Sequence, residues 1–282
     1  MYYMILSVSA VLFSFVFIFS DRYRAVNGSG LNSTLKFTAG SHLAGLIALL
    51  VINRFHFEFT PFTALVALTA AADVILFNIC SLRALEKTNL SVYSVFSMIG
   101  GMALPFAAGI IFFHEKLTAG KIICLVLITA SVALTVKKKE RGGGTLYYLG
   151  VFVTNGLYGV INKFFSASHF NKTGDAAYSA MIEGFVVITC VILLAFFRDK
   201  NVRINVKTSF YMGGYGVMCA VGNYLQLIAL SVLNASAQYP FVTGGVMIIS
   251  TVYSFFTPNK PGKREIASVI LAVIGVTVLV LL

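Results

Sequence analysis

Tryptophan is absent from this 282-residue sequence and charge is scarce, with Asp, Glu, Lys and Arg together making up 11% of it. A soluble domain covers itself with charged residues amounting to about a quarter of its composition, so a water-exposed globule is excluded as the main architecture. Acidic residues are the rarest class, 10 against 21 basic ones, and there are 4 His and 4 Cys. Cys80, Cys124, Cys190 and Cys219 lie in apolar stretches without CxxC spacing. The His and acidic residues form no ligand-spaced cluster, so no disulfide framework, metal centre or cofactor is expected. A nucleophile elbow, an HExxH helix and a spaced pair of catalytic carboxylates are all missing, so the chain is not expected to be an enzyme.

What is present is apolar: 58% of residues are hydrophobic, and the mean hydropathy is +0.89. A bilayer core of about 30 Å takes about 20 apolar residues per helix, and runs of that length recur along the chain. Ten spans are expected, at roughly 2–20, 34–53, 61–82, 90–113, 119–136, 146–165, 176–197, 209–230, 236–256 and 265–282. The first run lacks a basic start and a small-residue cleavage site, so it reads as a helix and not as a signal peptide. The loops between spans are too short to hold a soluble active site. The fold class expected is therefore an all-α integral membrane protein. The net charge of +11 sits in these loops, where anionic lipid headgroups and membrane topology account for it without nucleic acid.

Compared with itself at an offset of 145, the chain repeats. Tyr2 and Tyr3 meet Tyr147 and Tyr148, Asn78 meets Asn223, Ala84 and Leu85 meet Ala229 and Leu230, and Asn89 meets Asn234. Ser91, Phe96 and Gly100 continue the match onto Ser236, Phe241 and Gly245. Residues 1–141 and 142–282 thus form two five-helix repeats, and an odd number of crossings inverts the second relative to the first. Lys137 to Arg141 followed by Gly142-Gly143-Gly144 makes a charged, flexible connection between them.

The stretch from Ala84 to Val136 carries Ala-Leu-x4-Leu-Ser before a helix ending in Phe112-Phe113-His114-Glu115-Lys116-Leu117-Thr118, then Gly120 and a further apolar span. It resembles the EamA-type repeat of the drug/metabolite transporter superfamily, with Ala229 to Leu282 as the second copy. The matching turn in that copy, Thr257 to Glu265, lacks an acidic residue in the corresponding place. The resemblance implies ten helices in inverted halves, transport of a small solute, and a central cavity walled by helices 1, 3, 4, 6, 8 and 9. Members of the superfamily usually keep both termini in the cytoplasm. Here 16 of the 21 Lys and Arg follow odd-numbered helices, which places both termini outside a plasma membrane that the chain crosses many times.

On helix 6, Asn155, Tyr158, Gly159 and Asn162 share one face, while the aligned helix 1 positions are mostly apolar, so a cavity polar on one side is expected. Asn78, Asn223 and Gln226 supply further amides, which serve either as ligand contacts or as interhelical hydrogen bonds. Helices 4 and 9 contribute Tyr93 and Phe96, and Gln238, Tyr239 and Phe241. Their Gly100-Gly101 and Gly244-Gly245 pairs either loosen those helices or allow close packing. Among ionisable residues in the spans, Glu183 is the leading proton-coupling candidate, with Asp73 and His42 beside it. A pairing of Glu183 with Lys163 is the plainer alternative, and Lys163 also lies near enough to a helix end to snorkel. Asp73 and Asn78, five residues apart, should not both face one cavity. Glu115 is expected to serve the macrodipole of helix 5, with Thr118 as its N-cap.

The sequence thus predicts a secondary-active, proton-coupled transporter of a small polar or amphipathic metabolite, with an amino acid or an amine favoured by the two carboxylates and the aromatic walls. A flippase for lipid or lipid-linked substrates is the alternative. The partners expected are the small-molecule solute, the proton and membrane lipid, with the oligomeric state left open.

Overall fold

The computed structural model describes residues 2–28, 30–87, 90–135, 145–196, 204–255 and 262–282. They form ten α-helices: α1 Tyr2–Asn27, α2 Leu31–Ile52, α3 Pro61–Lys87, α4 Leu90–Ile111, α5 Ala119–Thr135, α6 Thr145–Ala167, α7 Asp175–Phe196, α8 Val206–Leu230, α9 Ala235–Phe255 and α10 Lys263–Leu281. No strand occurs among the described residues. The expected connection at Lys137 to Gly144 and most of the Thr257 to Glu265 turn lie outside them.

The expected spans and the helices coincide, but several helices run past the apolar segment. Helix α1 continues seven residues beyond position 20, to Asn27. Its extra turns are polar in sequence, yet Tyr23 is fully buried there, packs tilted against Phe37 with ring centres 4.7 Å apart, and donates its hydroxyl to the Ser33 carbonyl at 3.2 Å. Helix α8 starts three residues early, at Val206, because Asn205 and Thr208 form a reciprocal capping box with both bonds at 2.9 Å. Hydropathy marks the stretch that suits lipid, whereas capping and tertiary contacts fix where a helix ends.

Helices α1, Leu31–Ile52, Pro61–Ala84 and Asp175–Phe196 are long and apolar enough to cross a membrane. Phe96–Ile111, Ala119–Leu134 and Ile266–Leu281 are shorter apolar helical stretches. Large apolar side chains are exposed on the outer surface, among them Leu43, Ile47 and Val51 on α2, and Ile188, Val191 and Ile192 on α7. A continuous apolar exterior of this kind is compatible with lipid contact and is costly in water.

Packing follows a regular scheme. Helix α1 packs on α8 and α9, α2 on α7 and α8, α3 on α6 and α7, α4 on α6 and α9, and α5 on α10. Exchanging each helix with the one five places away turns the α1–α8 contact into α6–α3, α2–α8 into α7–α3, and α4–α6 into α9–α1. Each of these contacts is present.

Helices α5 and α10 pack on each other and against α4 and α9 without lining the centre, and Ser131 and Ser268 join them. Each hydroxyl donates to the other residue's carbonyl, at 2.6 and 2.8 Å, and both side chains are buried. Ser131→Ala is expected to cost about 0.6–1 kcal/mol, the value of one such bond between apolar helices. Reversible unfolding in mixed micelles measures it, and an unchanged midpoint would remove this pair from the forces that hold α10 in place.

Candidate functional site

Between the helices lies a cavity of about 190 Å³, walled by α1, α2, α3, α4, α6, α7, α8 and α9. The resemblance implied six of these helices. The other two, α2 and α7, enter through His42 and Glu183. Of the residues expected at a binding site, Asn78, Asn155, Tyr158, Asn223, Gln226 and Tyr239 line the cavity. The three residues expected at a proton site, Asp73, His42 and Glu183, line it as well.

Other expected residues are used elsewhere. Phe96 lies on the outside, stacked on Tyr148 at 5.3 Å. Asn162 is buried and accepts from the Tyr178 hydroxyl at 3.1 Å. Gln238 is fully buried and donates to the Gln226 carbonyl at 2.8 Å, which ties α9 to the end of α8. Phe241 packs on Tyr3 at 5.1 Å. These four make packing and interhelical contacts outside the cavity lining, because helical spacing alone does not say which face of a helix meets the cavity. The side chain of Tyr93 lies outside the described residues.

Two expectations about faces fail. Asp73 and Asn78 both line the cavity, since α3 presents to it an arc from Asp73 to Leu82 that is wider than one helical stripe. The cavity is also polar on both sides: His42, Asp73, Asn78 and Ser97 come from the first half, and Asn155, Glu183, Asn223 and Gln226 from the second. The comparison of α1 with α6 missed this because the polar groups of the first half sit on α2, α3 and α4.

The glycine pairs do not break their helices. Helices α4 and α9 are continuous, and each carries an internal proline, Pro105 and Pro240. Gly100 instead admits the backbone of α6, as a Cβ there would lie 2.2 Å from the Phe152 carbonyl oxygen. Its counterpart Gly245 faces Ala10 of α1, where a Cβ would come within 3.0 Å.

The charges pair in a way that the sequence did not disclose. Glu183 does not meet Lys163. Its Oε2 lies 2.5 Å from His42 Nδ1, and both side chains are buried. Lys163 does not snorkel either, because its Nζ is 2.8 Å from Glu115 Oε1 and 5.7 Å from the centre of the Phe113 ring. Glu115 serves α9 and not the helix it precedes. Its Oε1 accepts from Ala235 N at 2.9 Å, and its Oε2 accepts from Ser236 N at 2.9 Å and from Ser236 Oγ at 2.6 Å. Thr118 does cap α5, its Oγ1 accepting from Lys121 N at 3.3 Å.

The loop that delivers Glu115 is shaped by the end of α4. His114 takes a left-handed conformation with φ of 52°, and Glu115 N donates to Gly109 O at 3.0 Å, which turns the chain back on the end of α4. Gly109 leaves the room, since a Cβ on it would stand 2.6 Å from Glu115 Oε2. Burial alone would push the Glu115 carboxyl up. Lys163, the Ser236 hydroxyl and the Ser236 and Ala235 amides together hold it below the ordinary glutamate value.

Asp73 has no such company. It is 4% exposed, and neither carboxylate oxygen has a hydrogen-bond partner among the described residues. His42 Nε2 is likewise buried without one. No Lys or Arg occurs among the described residues that line the cavity.

No protein-family model matches the chain, and no curated protein matches it in sequence. A solved structure described only as "Crystal structure of protein" superposes on it with a TM-score of 0.79, covering 99% of this chain and 98% of that one at 11% identity. At that identity the likeness shows a shared fold and carries no activity across.

Proposed function

We propose that this chain is a secondary-active, proton-coupled transporter that carries a small polar or amphipathic metabolite across a membrane by alternating access. The observation that carries this reading is the central cavity, which is built from eight helices, polar on both sides, and edged by three buried ionisable groups. Charged groups at such depth are costly unless they are paired or used, and a solute path is what uses them.

In this reading the ten helices all cross the bilayer, as inverted repeats 1–141 and 142–282. The exchangeable helix contacts support the repeats, and so do the aligned Asn78 and Asn223, which both reach the cavity. His42 and Glu183 occupy corresponding places, on the second helix of each repeat, and meet across the boundary. Rocking of one repeat against the other would expose the cavity to each side in turn. The loop charges orient both termini outwards, in a plasma membrane. The sequence resemblance to the EamA-type drug/metabolite transporters belongs with this reading.

The His42–Glu183 pair is the proton site of the proposal. One imidazole and one carboxyl at hydrogen-bond distance can gain or lose a proton as water reaches them from either side, and the change of charge biases which side is open. The test uses proteoliposomes under an imposed pH gradient, with a mixture of radiolabelled amino acids and amines. Wild-type protein is expected to accumulate solute against its gradient, whereas Glu183→Gln falls to the equilibrium level and keeps solute-for-solute exchange. Gradient-driven accumulation by Glu183→Gln would remove the pair from coupling. Phospholipid scrambling without solute flux would replace the transporter by a flippase.

A further inference from the structure

We propose that Asp73 is the anchor for a singly charged ammonium group, so that the solute class of the cavity is small organic amines and not amino acids or anions. This rests on the transporter reading above and narrows it.

The first support is the accounting of hydrogen bonds. A carboxylate needs donors and a carboxylic acid needs an acceptor for its proton, and Asp73 has neither in the described structure. No side chain of the wall supplies that partner: neither Asp73 oxygen is reached by a donor, while Asn155 Nδ2 donates to Ser97 O at 2.6 Å, Asn223 Nδ2 points to Cys219 Sγ at 3.4 Å, and His42 Nδ1 is taken by Glu183. The missing partner must therefore come from what fills the cavity. An ammonium group offers three donors and a charge of the right sign.

The second support is the charge count. When His42 and Glu183 form an internally neutral ion pair, an ionised Asp73 leaves the cavity with one uncompensated negative charge, and no Lys or Arg lines it. A monocation brings the total to neutrality. A zwitterionic amino acid leaves it negative and must also bury its own carboxylate, for which the described lining offers no Lys or Arg. An anion makes matters worse. In a desolvated site the neutral sum wins by a wide margin.

The third support is the shape and surface. At about 190 Å³ the cavity is smaller than the about 300–1,000 Å³ of pockets that hold drug-sized ligands. Phe13, Phe17, Phe77, Tyr158, Tyr215 and Tyr239 in its wall offer ring faces, which attract cations and accept short apolar chains. Asp73, its charge otherwise unmatched, then fixes which end of an amphipathic amine goes where.

The experiment measures melting temperature in detergent with four probes that share one ring: phenethylamine, phenethyl alcohol, hydrocinnamate and phenylalanine. Phenethylamine is expected to raise the melting temperature of the wild type saturably, and the other three to bind at least about tenfold more weakly. Asp73→Asn is expected to lose the response to the amine while melting, without ligand, no lower than the wild type. Asp73→Glu, which keeps the charge, should keep the response. If Asp73→Asn fails to fold, the probe series on the wild type and Asp73→Glu decide the matter alone. The proposal is overturned if the alcohol, acid or amino acid binds as well as the amine, if Asp73→Asn retains amine binding, or if phenethylamine does not bind. Counterflow of the same probes in proteoliposomes separates the two readings. Asp73-dependent binding without exchange would sink the transporter and keep the amine site, whereas exchange of the acid or amino acid but not the amine would do the reverse.

Discussion

Glu115→Ala is expected to lower the stability of the folded protein by about 3–5 kcal/mol, the cost of breaking a buried ion pair from one side. Two effects add. Lys163, whose side chain is 11% exposed, is left without a counter-charge, and the first amides of α9, at Ala235 and Ser236, lose their acceptor at the positive end of the helix dipole. The bond crosses between the halves of the chain, since Glu115 follows α4 while Lys163 lies on α6 and Ser236 on α9. The loss should therefore appear as separation of the halves and not as local fraying. Denaturant unfolding of the purified protein in mixed micelles measures it. The double variant Glu115→Ala/Lys163→Met should recover a large part of the loss, because the unpaired charge is gone. A single-variant loss below about 1 kcal/mol, typical of an exposed pair, would mean that the site is wetter than the geometry states.

The same carboxylate gives the protein an acid sensitivity of known sign. Its folded pKa is lowered from the ordinary value of 4.5, so its contribution is complete above that value and is lost as pH falls through the lower, folded one. Stability should decline on acidification below about 4.5 in the wild type, and less steeply in Glu115→Gln.

The second large effect comes from a glycine. A Cβ on Gly216 of α8 would lie 1.8 Å from the Ser41 carbonyl oxygen of α2, and backbone cannot step aside as a side chain can. Gly216→Ala must push two helices apart, and is expected to cost about 3 kcal/mol, the upper end for overpacking. Gly184→Ala and Gly213→Ala are the controls, on α7 and on the same α8, since neither Cβ would meet anything within 4 Å. They should be neutral, or should stabilise by up to about 1 kcal/mol through the better helix propensity of alanine. If Gly216→Ala behaves like these controls, α2 and α8 do not approach as closely as described.

Much of the fold was legible in order along the chain. Helices were found where apolar runs suited lipid, because length and hydropathy are local properties. Helix ends were less legible: Tyr23 lies in a polar stretch and is still fully buried, which depends on Phe37 and Ser33 of another helix. Of the residues that the sequence singled out for the site, Asn78, Asn155, Tyr158, Asn223, Gln226 and Tyr239 line the cavity. Phe96, Asn162, Gln238 and Phe241 lie outside the cavity lining, because residue type and helical spacing do not reveal which neighbour a face meets.

Composition and periodicity, which act within about 20 residues, determined by themselves that the chain is helical and apolar and where its ten helices run. Only the tertiary structure decided which charges meet. Glu183 went to His42, Lys163 to Glu115, and Asp73 was left with no partner among the described residues. A buried charge is governed by whatever lies within hydrogen-bonding distance of it, and in this chain those neighbours are separated by up to 141 positions in sequence, which no local pattern encodes.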